Sequence, residues 1–88
     1  MADFESGLTE PTVEGKVRQL VGLLTNTPFE DVGTDFNWKN ILDQDRLDYF
    51  NVMAAEALTT YFNVPSEPED VDGTSTIQDL VNRINNGA

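Results

Sequence analysis

The chain contains no cysteine and no histidine. Without cysteine it can form no disulfide and no thiolate metal site, and it can carry out no thiol chemistry. Without histidine it lacks the commonest general base of enzymes and the commonest ligand for transition metals. We therefore expect a protein that is not an enzyme and that holds no metal ion.

Basic residues are also scarce, with five lysines and arginines against sixteen acidic residues and a formal net charge of -11. This balance argues against nucleic-acid binding, in which lysine and arginine replace the counterions of the phosphates. It argues equally against docking on an anionic lipid surface. A protein partner with a basic patch is favoured instead, although the same charge could serve only to keep a small protein in solution.

Long apolar runs are absent, and no stretch is long enough to span a membrane. The amino terminus lacks the basic start and apolar core of a signal peptide. We therefore expect a soluble, monomeric, cytoplasmic protein. Its 88 residues are enough for one domain near the lower size limit for folding without disulfides. Residues 1–8 are interpreted as a flexible tail and residues 9–88 as a single domain.

Apolar residues recur at helical spacing in three stretches of the chain. The first predicts a helix over residues 10–25 with Thr9 as its N-cap, and the second a helix over 46–62. The third is a stripe from Ile77 to Ile84. The predicted core combines these stripes: Val13, Val17, Leu20, Val21, Leu24, Leu47, Phe50, Ala54, Leu58, Phe62, Ile77, Leu80, Val81 and Ile84.

Capping patterns complete the predicted helices. Ser66 with Glu69 predicts a very short helix, and Ser75 with Gln78 predicts the start of the last one. Residues 85–87 are interpreted as a helix stop. The first helix carries two glycines, which weaken a helix, so either tertiary packing holds it or another segment lies close against it.

The connection from Phe29 to Gln44 is too apolar for a solvated loop. It carries large side chains such as Phe36, Trp38 and Ile41, and long connections are usually functional or packed. We expect it to lie across the bundle, with a short helical turn within residues 37–42 and its aromatic side chains covering one end.

Two stretches of the chain carry short motifs, W-x-x-x-L-x-x-D-R-L-D from Trp38 to Asp48 and T-I-x-D-L-V-x-x-I from Thr76 to Ile84. The first is similar to the segment F-x-x-x-L-G-x-D-S-L-D of acyl carrier proteins. The second is similar to the last helix of that family. The order of predicted elements also agrees from Thr9 onward. The resemblance implies an all-α, acyl-carrier-protein-like four-helix bundle with three longer helices and one short helix.

The residue that carrier proteins modify is missing from this chain. Arg46 stands at the serine position, or Asp48 if the second helix is aligned from its other end at Phe62. Carrier proteins attach phosphopantetheine to the serine hydroxyl as a phosphodiester, and neither arginine nor aspartate can form that bond. We therefore expect no cofactor.

The resemblance then implies a small acidic binding module for carrier-recognising enzymes, such as a synthase or transferase component of lipid or secondary metabolism. The alternative is a working carrier for fatty-acid, polyketide or nonribosomal peptide synthesis. That carrier would be modified at an unexpected residue, for which Thr34 is badly spaced.

Carrier proteins present their second helix to their enzymes, so the resemblance places the partner-binding surface there. Arg46 is interpreted either as an exposed arginine paired with neighbouring aspartates or as a residue that blocks or re-aims this surface. Tyr49 lies off the apolar stripe and is the best candidate for an exposed aromatic contact. The predicted partner-binding residues are Asp45, Arg46, Leu47, Asp48, Tyr49 and Glu56.

Three carboxylates surround the start of the second helix, at Asp43, Asp45 and Asp48. There they suit N-capping and the positive end of the helix dipole. A divalent-cation site is an alternative, because hard cations prefer oxygen ligands. The turn glycine and the downstream glutamate of an EF-hand loop are missing, so helix capping is the preferred interpretation.

Overall fold

Four α-helices account for most of the chain that the computed structural model describes, residues 8–87. They are α1 (Val13–Thr25), α2 (Gln44–Tyr61), α3 (Pro68–Asp72) and α4 (Ile77–Gly87). Within these residues there is no strand, only an isolated bridge between Asn37 and Thr76. The predicted all-α bundle of three longer helices and one short helix is confirmed. The predicted flexible tail, apart from Leu8, lies outside the described residues.

Helix α1 begins later than the sequence predicted. Its N-cap is Thr12, whose Oγ1 accepts a hydrogen bond from the Gly15 amide at 2.9 Å. Thr9, the predicted cap, instead donates its backbone N–H to Gln19 Oε1 at 2.9 Å. Val13, predicted in the core, is 36% exposed, because it lies in the first turn beside an open groove.

Gly22 explains how the chain leaves α1. A Cβ added at this glycine would lie 2.8 Å from the carbonyl oxygen of Thr27, closer than real Cβ contacts allow. The approach is tight because Asn26 adopts left-handed angles (φ 55°) and Thr27 donates its N–H back to the Gly22 carbonyl. The expectation that another segment lies close against the helix is therefore confirmed at Gly22.

The connection between α1 and α2 packs into the bundle as predicted. It contains two short 3-10 turns, Phe29–Asp31 and Trp38–Asn40, and the second lies inside the predicted range 37–42. Val32 and Trp38 are fully buried, and the Trp38 ring lies 4.7 Å from that of Phe50, centroid to centroid. The loop therefore supplies part of the core.

The core lies between the helices and under this loop. Helix α3 packs mainly against α2, and α4 packs mainly against α1. Leu24, Leu47 and Phe62, predicted as core residues, are only half-buried at its margin. The buried side chains are Val17, Leu20, Val21, Val32, Trp38, Phe50, Ala54, Ala55, Ala57, Leu58, Val64, Val71, Ile77, Leu80, Val81 and Ile84.

Both predicted capping boxes are displaced by one residue. Glu67 rather than Ser66 precedes α3, and its N–H donates to Asp70 Oδ2 at 2.8 Å. At the start of α4, Thr76 Oγ1 accepts from the Asp79 amide at 3.3 Å, and Asp79 Oδ2 accepts from the Thr76 amide at 3.2 Å. A carboxylate reaches back to the backbone in each case. Helix α4 runs to Gly87, so its last residues fall within the stop predicted at 85–87.

Candidate partner-binding surface

Helix α2 turns one side toward the core and the opposite side toward solvent. Its start is fixed by Asp43, whose Oδ1 accepts from the Arg46 amide at 2.9 Å, so the helix begins two residues earlier than predicted. Residues three or four apart share a face of a helix. The solvent-facing residues, which we name the outer face, are Asp45, Asp48, Tyr49, Val52 and Glu56, all of them exposed.

Two apolar side chains on the outer face are unusually open to solvent. Tyr49 is 61% exposed and Val52 is 49% exposed, and both lie among the three carboxylates of this face. Ile41, just before α2, is 52% exposed. An exposed aromatic residue next to an aliphatic one, with charged residues around them, is typical of a surface that contacts another protein.

The carboxylates of the outer face form no salt bridge within residues 8–87. Asp48 Oδ1 accepts a hydrogen bond from the neutral side-chain amide of Gln44, through Nε2, at 2.8 Å. Within residues 8–87 the only salt bridge joins Arg83 to Asp70, at 3.4 Å. Two other basic side chains are engaged elsewhere: Arg18 stacks over Phe29, and Lys39 Nζ donates to the Asp72 carbonyl oxygen.

Arg46 lies in the first turn of α2 with its side chain exposed. The described residues include no salt bridge between Arg46 and the aspartates beside it, so the interpretation that it pairs with them was wrong. Asp48, the alternative for the serine position, is also exposed. Residues 43–48 contain neither serine nor threonine. Thr34 is tied to α4 instead, where its carbonyl oxygen accepts from the Gln78 amide.

Leu47 was predicted on the partner-binding surface but packs against the core and is half-buried. Leu47 lies on the inner side of α2, the side that faces the core, together with Phe50 and Ala54. Sequence reasoning missed Val52 and Ile41. The signal for Val52 was its spacing of four residues from Asp48 and three from Tyr49, which places all three on one face. Ile41 carried no such signal, because it lies in a loop expected to be packed.

A groove of about 350 Å³ runs along one edge of the outer face, between α2 and α3. We name it the α2–α3 groove, and its lining is Gln44, Asp48, Asn51, Val52, Pro68, Glu69 and Asp72. The pKa of Glu69 is raised by a side-chain hydrogen bond with Glu67 and by repulsion from the Glu67 and Asp70 carboxylates. The groove is therefore bordered by crowded negative charge.

The aspartates near the start of α2 do not gather into a metal site. Asp43 uses its carboxylate for the helix cap. No group of three or more metal-ligating side chains in the described part of the chain is placed to hold an ion. The alternative of a divalent-cation site formed by Asp43, Asp45 and Asp48 thus has no support in this geometry.

No helix within residues 8–87 is both long enough and apolar enough to cross a membrane. Comparison of the chain with family models, curated proteins and solved structures found no match. The outer face of α2 and the motifs of the sequence are therefore the features that bear on function.

Proposed function

We propose that the chain is an acyl-carrier-protein-like domain without an attachment site, acting as a small acidic binding module for carrier-recognising enzymes. The observation that carries the proposal is the outer face of α2. There Tyr49 and Val52 are exposed among carboxylates that have no basic partner among the described residues. The partner would be a synthase or transferase component that offers a basic patch.

The chemistry of this face suits such a partner. Aromatic anchors surrounded by polar residues contribute most of the binding energy in many protein interfaces. Complementary charge at the rim speeds association and excludes wrong partners. Tyr49 would supply the anchor, and Asp45, Asp48 and Glu56 would supply the charge.

The carrier resemblance is supported by the order of the helices and by the packed connection before α2. It places Arg46 where a carrier protein has its serine, in the first turn of α2. With no serine or threonine at residues 43–48, this region offers no hydroxyl for a phosphodiester. The domain would therefore dock without delivering an acyl group.

Binding to a carrier-recognising enzyme tests the proposal, with a promiscuous phosphopantetheinyl transferase as the probe and calorimetry as the measurement. The outer-face variant combines Asp45→Asn, Asp48→Asn and Glu56→Gln. We expect its affinity for the transferase to fall about tenfold, because the variant lacks three negative charges that complement the basic patch of the partner. Unchanged affinity would contradict the proposal.

A matched control removes the same three charges from the exposed loop carboxylates by Glu30→Gln, Asp31→Asn and Asp35→Asn. Its affinity should change less than about twofold, since distant surface charges are screened by salt. If both variants weaken binding equally, overall net charge rather than the outer face is responsible.

Intact mass after incubation with coenzyme A and the same transferase tests the loss of the attachment site. The natural chain should gain no mass, whereas Arg46→Ser should gain one phosphopantetheine group, because it restores a hydroxyl at the motif position. A gain on the natural chain would instead support the working carrier of fatty-acid, polyketide or peptide synthesis.

A further inference from the structure

A groove of about 670 Å³ lies at one end of the bundle, between the first turn of α1 and the last turns of α2 and α4. We name it the end groove. Val13 lines it from α1, Phe62 from the end of α2 and Ile84 from α4. Its volume is within the range of small-molecule sites in proteins, about 300–1,000 Å³. The described residues therefore leave space for a ligand at this end of the bundle.

The apolar lining of the end groove is only partly covered by protein. Val13 is 36% exposed, and Phe62 and Leu8, which precedes α1, are half-buried. Ile84 connects this lining to the core and is 4% exposed. Apolar surface that remains in water gains free energy when a ligand covers it, roughly in proportion to the area removed from water. The end groove therefore favours a ligand with an apolar part.

Lys16 is the only charged side chain in the lining of the end groove. It is half-buried and forms no salt bridge within residues 8–87. The lining contains no aspartate or glutamate, although sixteen of the 88 residues of the chain are acidic. Thr60 and Asn85, both exposed, add neutral polar groups. The end groove thus combines one cation with apolar surface, and no carboxylate of its lining competes for the cation.

We propose that the end groove binds a monocarboxylate with an unbranched aliphatic chain, a ligand of the fatty-acid class. The carboxylate accepts hydrogen bonds from the Lys16 ammonium, which has three donors and no acceptor. Hydrogen bonds between ionised groups are stronger than those between neutral groups. The aliphatic chain lies against Val13, Phe62 and Ile84. The single charge of the ligand is matched by the single charge of the lining.

Other ligands suit the end groove less well. A cation is repelled by Lys16 and meets no carboxylate in the lining. A peptide brings backbone N–H and C=O groups, which lose their hydrogen bonds to water and must find partners in the groove, whereas an aliphatic chain brings none. The net charge of -11 repels anions at long range, but salt screens that repulsion beyond about 8 Å at physiological ionic strength.

The end groove and the outer face of α2 are separate sites. Thr60, in the groove, lies about 21 Å along the helix from Arg46, at a rise of about 1.5 Å per residue. No residue of the outer face lines the end groove. The inference therefore goes beyond the proposed function and does not depend on it.

An NMR titration of the full chain with sodium octanoate in about 0.15 M salt tests the inference, following the methyl signals of Val13 and Ile84. We expect saturable shifts at both residues. Decanoate should bind about fourfold more tightly, because it brings two more CH₂ groups that an open groove half-buries. The absence of saturable shifts, as expected if a second copy of the chain covered the groove, would overturn the inference. Tighter binding of N-acetyl-leucyl-leucine than of octanoate would also overturn it, since the occupant would then be a peptide.

Lys16→Met tests the role of the charge, because methionine keeps an unbranched stem. Octanoate affinity should fall about fivefold, whereas the affinity for 1-octanol, which carries no charge, should stay the same. Arg46→Met is the matched control, since it removes an equal charge from an exposed residue outside the groove, and it should change octanoate affinity by less than about twofold. An equal loss in the two variants would make net charge the cause and overturn the inference.

Val13→Glu tests the location of the aliphatic chain. It replaces apolar lining with a carboxylate and should weaken octanoate binding about tenfold. Leu23→Glu is the matched control, because Leu23 is also an exposed aliphatic residue of α1, at 53% exposure, and lies outside the lining. Its octanoate affinity should change by less than about twofold. If Lys16→Met lowers the free energy of unfolding and leaves octanoate binding unchanged, the lysine serves only the fold, and the inference is wrong.

Discussion

The two sides of α2 differ in how far their apolar side chains are buried. On the inner side, Phe50 and Leu58 are each 1% exposed, and Ala54 and Ala57 are completely buried. On the outer side, Tyr49 is 61% exposed and Val52 is 49% exposed. Packing accounts for these four inner residues, because protein interiors tolerate few voids. Packing does not explain why the side chains of Tyr49 and Val52 are exposed to solvent. The outer side is therefore the candidate functional surface.

The largest expected effect comes from breaking the inner side at Phe50. Phe50→Ala removes a fully buried ring that lies against Trp38, and it should lower the free energy of unfolding by about 3–5 kcal/mol. A small domain has little more stability than that to lose. Urea denaturation followed by Trp38 fluorescence measures the change.

The matched change on the outer side is Val52→Ala, which should alter the free energy of unfolding by no more than about 0.5 kcal/mol. If Phe50→Ala does not fold, Phe50→Leu should still cost more than Val52→Ala. Equal costs on the two sides would show that the outer side is structural after all.

Overpacking gives the next largest effect. Ala54→Leu adds three carbons to a position with no exposed surface, so it should cost about 1–3 kcal/mol of unfolding free energy. The outer counterpart Val52→Leu adds one carbon where there is open solvent, and its cost should be close to zero. A neutral Ala54→Leu, measured by the same urea titration, would reveal space beside α2 that the structure does not contain.

The inner side is also the part that the sequence predicted well. Residues such as Val17, Phe50 and Leu80 follow helical spacing on long helices, and that spacing reports burial directly. Val32, Val64 and Val71 are equally buried but were not predicted in the core. They lie in loops or in the five-residue helix α3, where there are too few turns for a period to emerge.

Helix ends and the candidate site were predicted less well. Serine and threonine are good caps on average, yet Thr12 caps α1 and Glu67 precedes α3, because tertiary contacts decide among neighbouring candidates. Tyr49 was recognised as exposed from its place off the stripe. The contact between Asn51 and Asp72 could not be predicted, because Asp72 lies on another helix. The spacing of residues within α2 does not show where that helix packs.

Asp79 is an exposed carboxylate that stabilises the fold. Its expected effect on the free energy of unfolding is smaller and depends on pH. Its pKa is lowered because the Ser75 amide donates to the carboxylate, with a further contribution from the Thr76 amide. A lowered folded-state pKa stabilises the protein above the unfolded pKa, which is about 3.9 for aspartate, and the stabilisation is lost as the pH falls through the folded value.

Asp79→Asn should therefore cost about 0.5–1 kcal/mol of unfolding free energy at pH near 7, from the weaker cap at the start of α4. The difference between the variant and the natural chain should shrink in acid, since both side chains are then neutral. Urea titrations at neutral pH and at a series of pH values from about 4 down to about 2 measure this loss. A difference that stays constant over the whole series would exclude the charge as the cause.

Glu69 is the opposite case and serves as the control. Its pKa is raised by the hydrogen bond with Glu67 and by neighbouring carboxylates, so its ionisation at neutral pH works against the folded state. Glu69→Gln should therefore leave the stability at neutral pH unchanged or slightly higher. A loss of stability would mean that Glu69 holds α3 in place.

The smallest effect on stability belongs to the residue expected to matter most for binding. Tyr49→Ala should change the free energy of unfolding by less than about 0.5 kcal/mol, because the ring is mostly in solvent. The same variant should bind the phosphopantetheinyl transferase about tenfold more weakly, since truncating an aromatic anchor in an interface typically costs more than 1 kcal/mol. The informative result is a clear loss of affinity together with an almost unchanged free energy of unfolding. If Tyr49→Ala weakens folding instead of binding, the phenol belongs to the bundle, and the contrast between the two sides of α2 no longer identifies a functional surface.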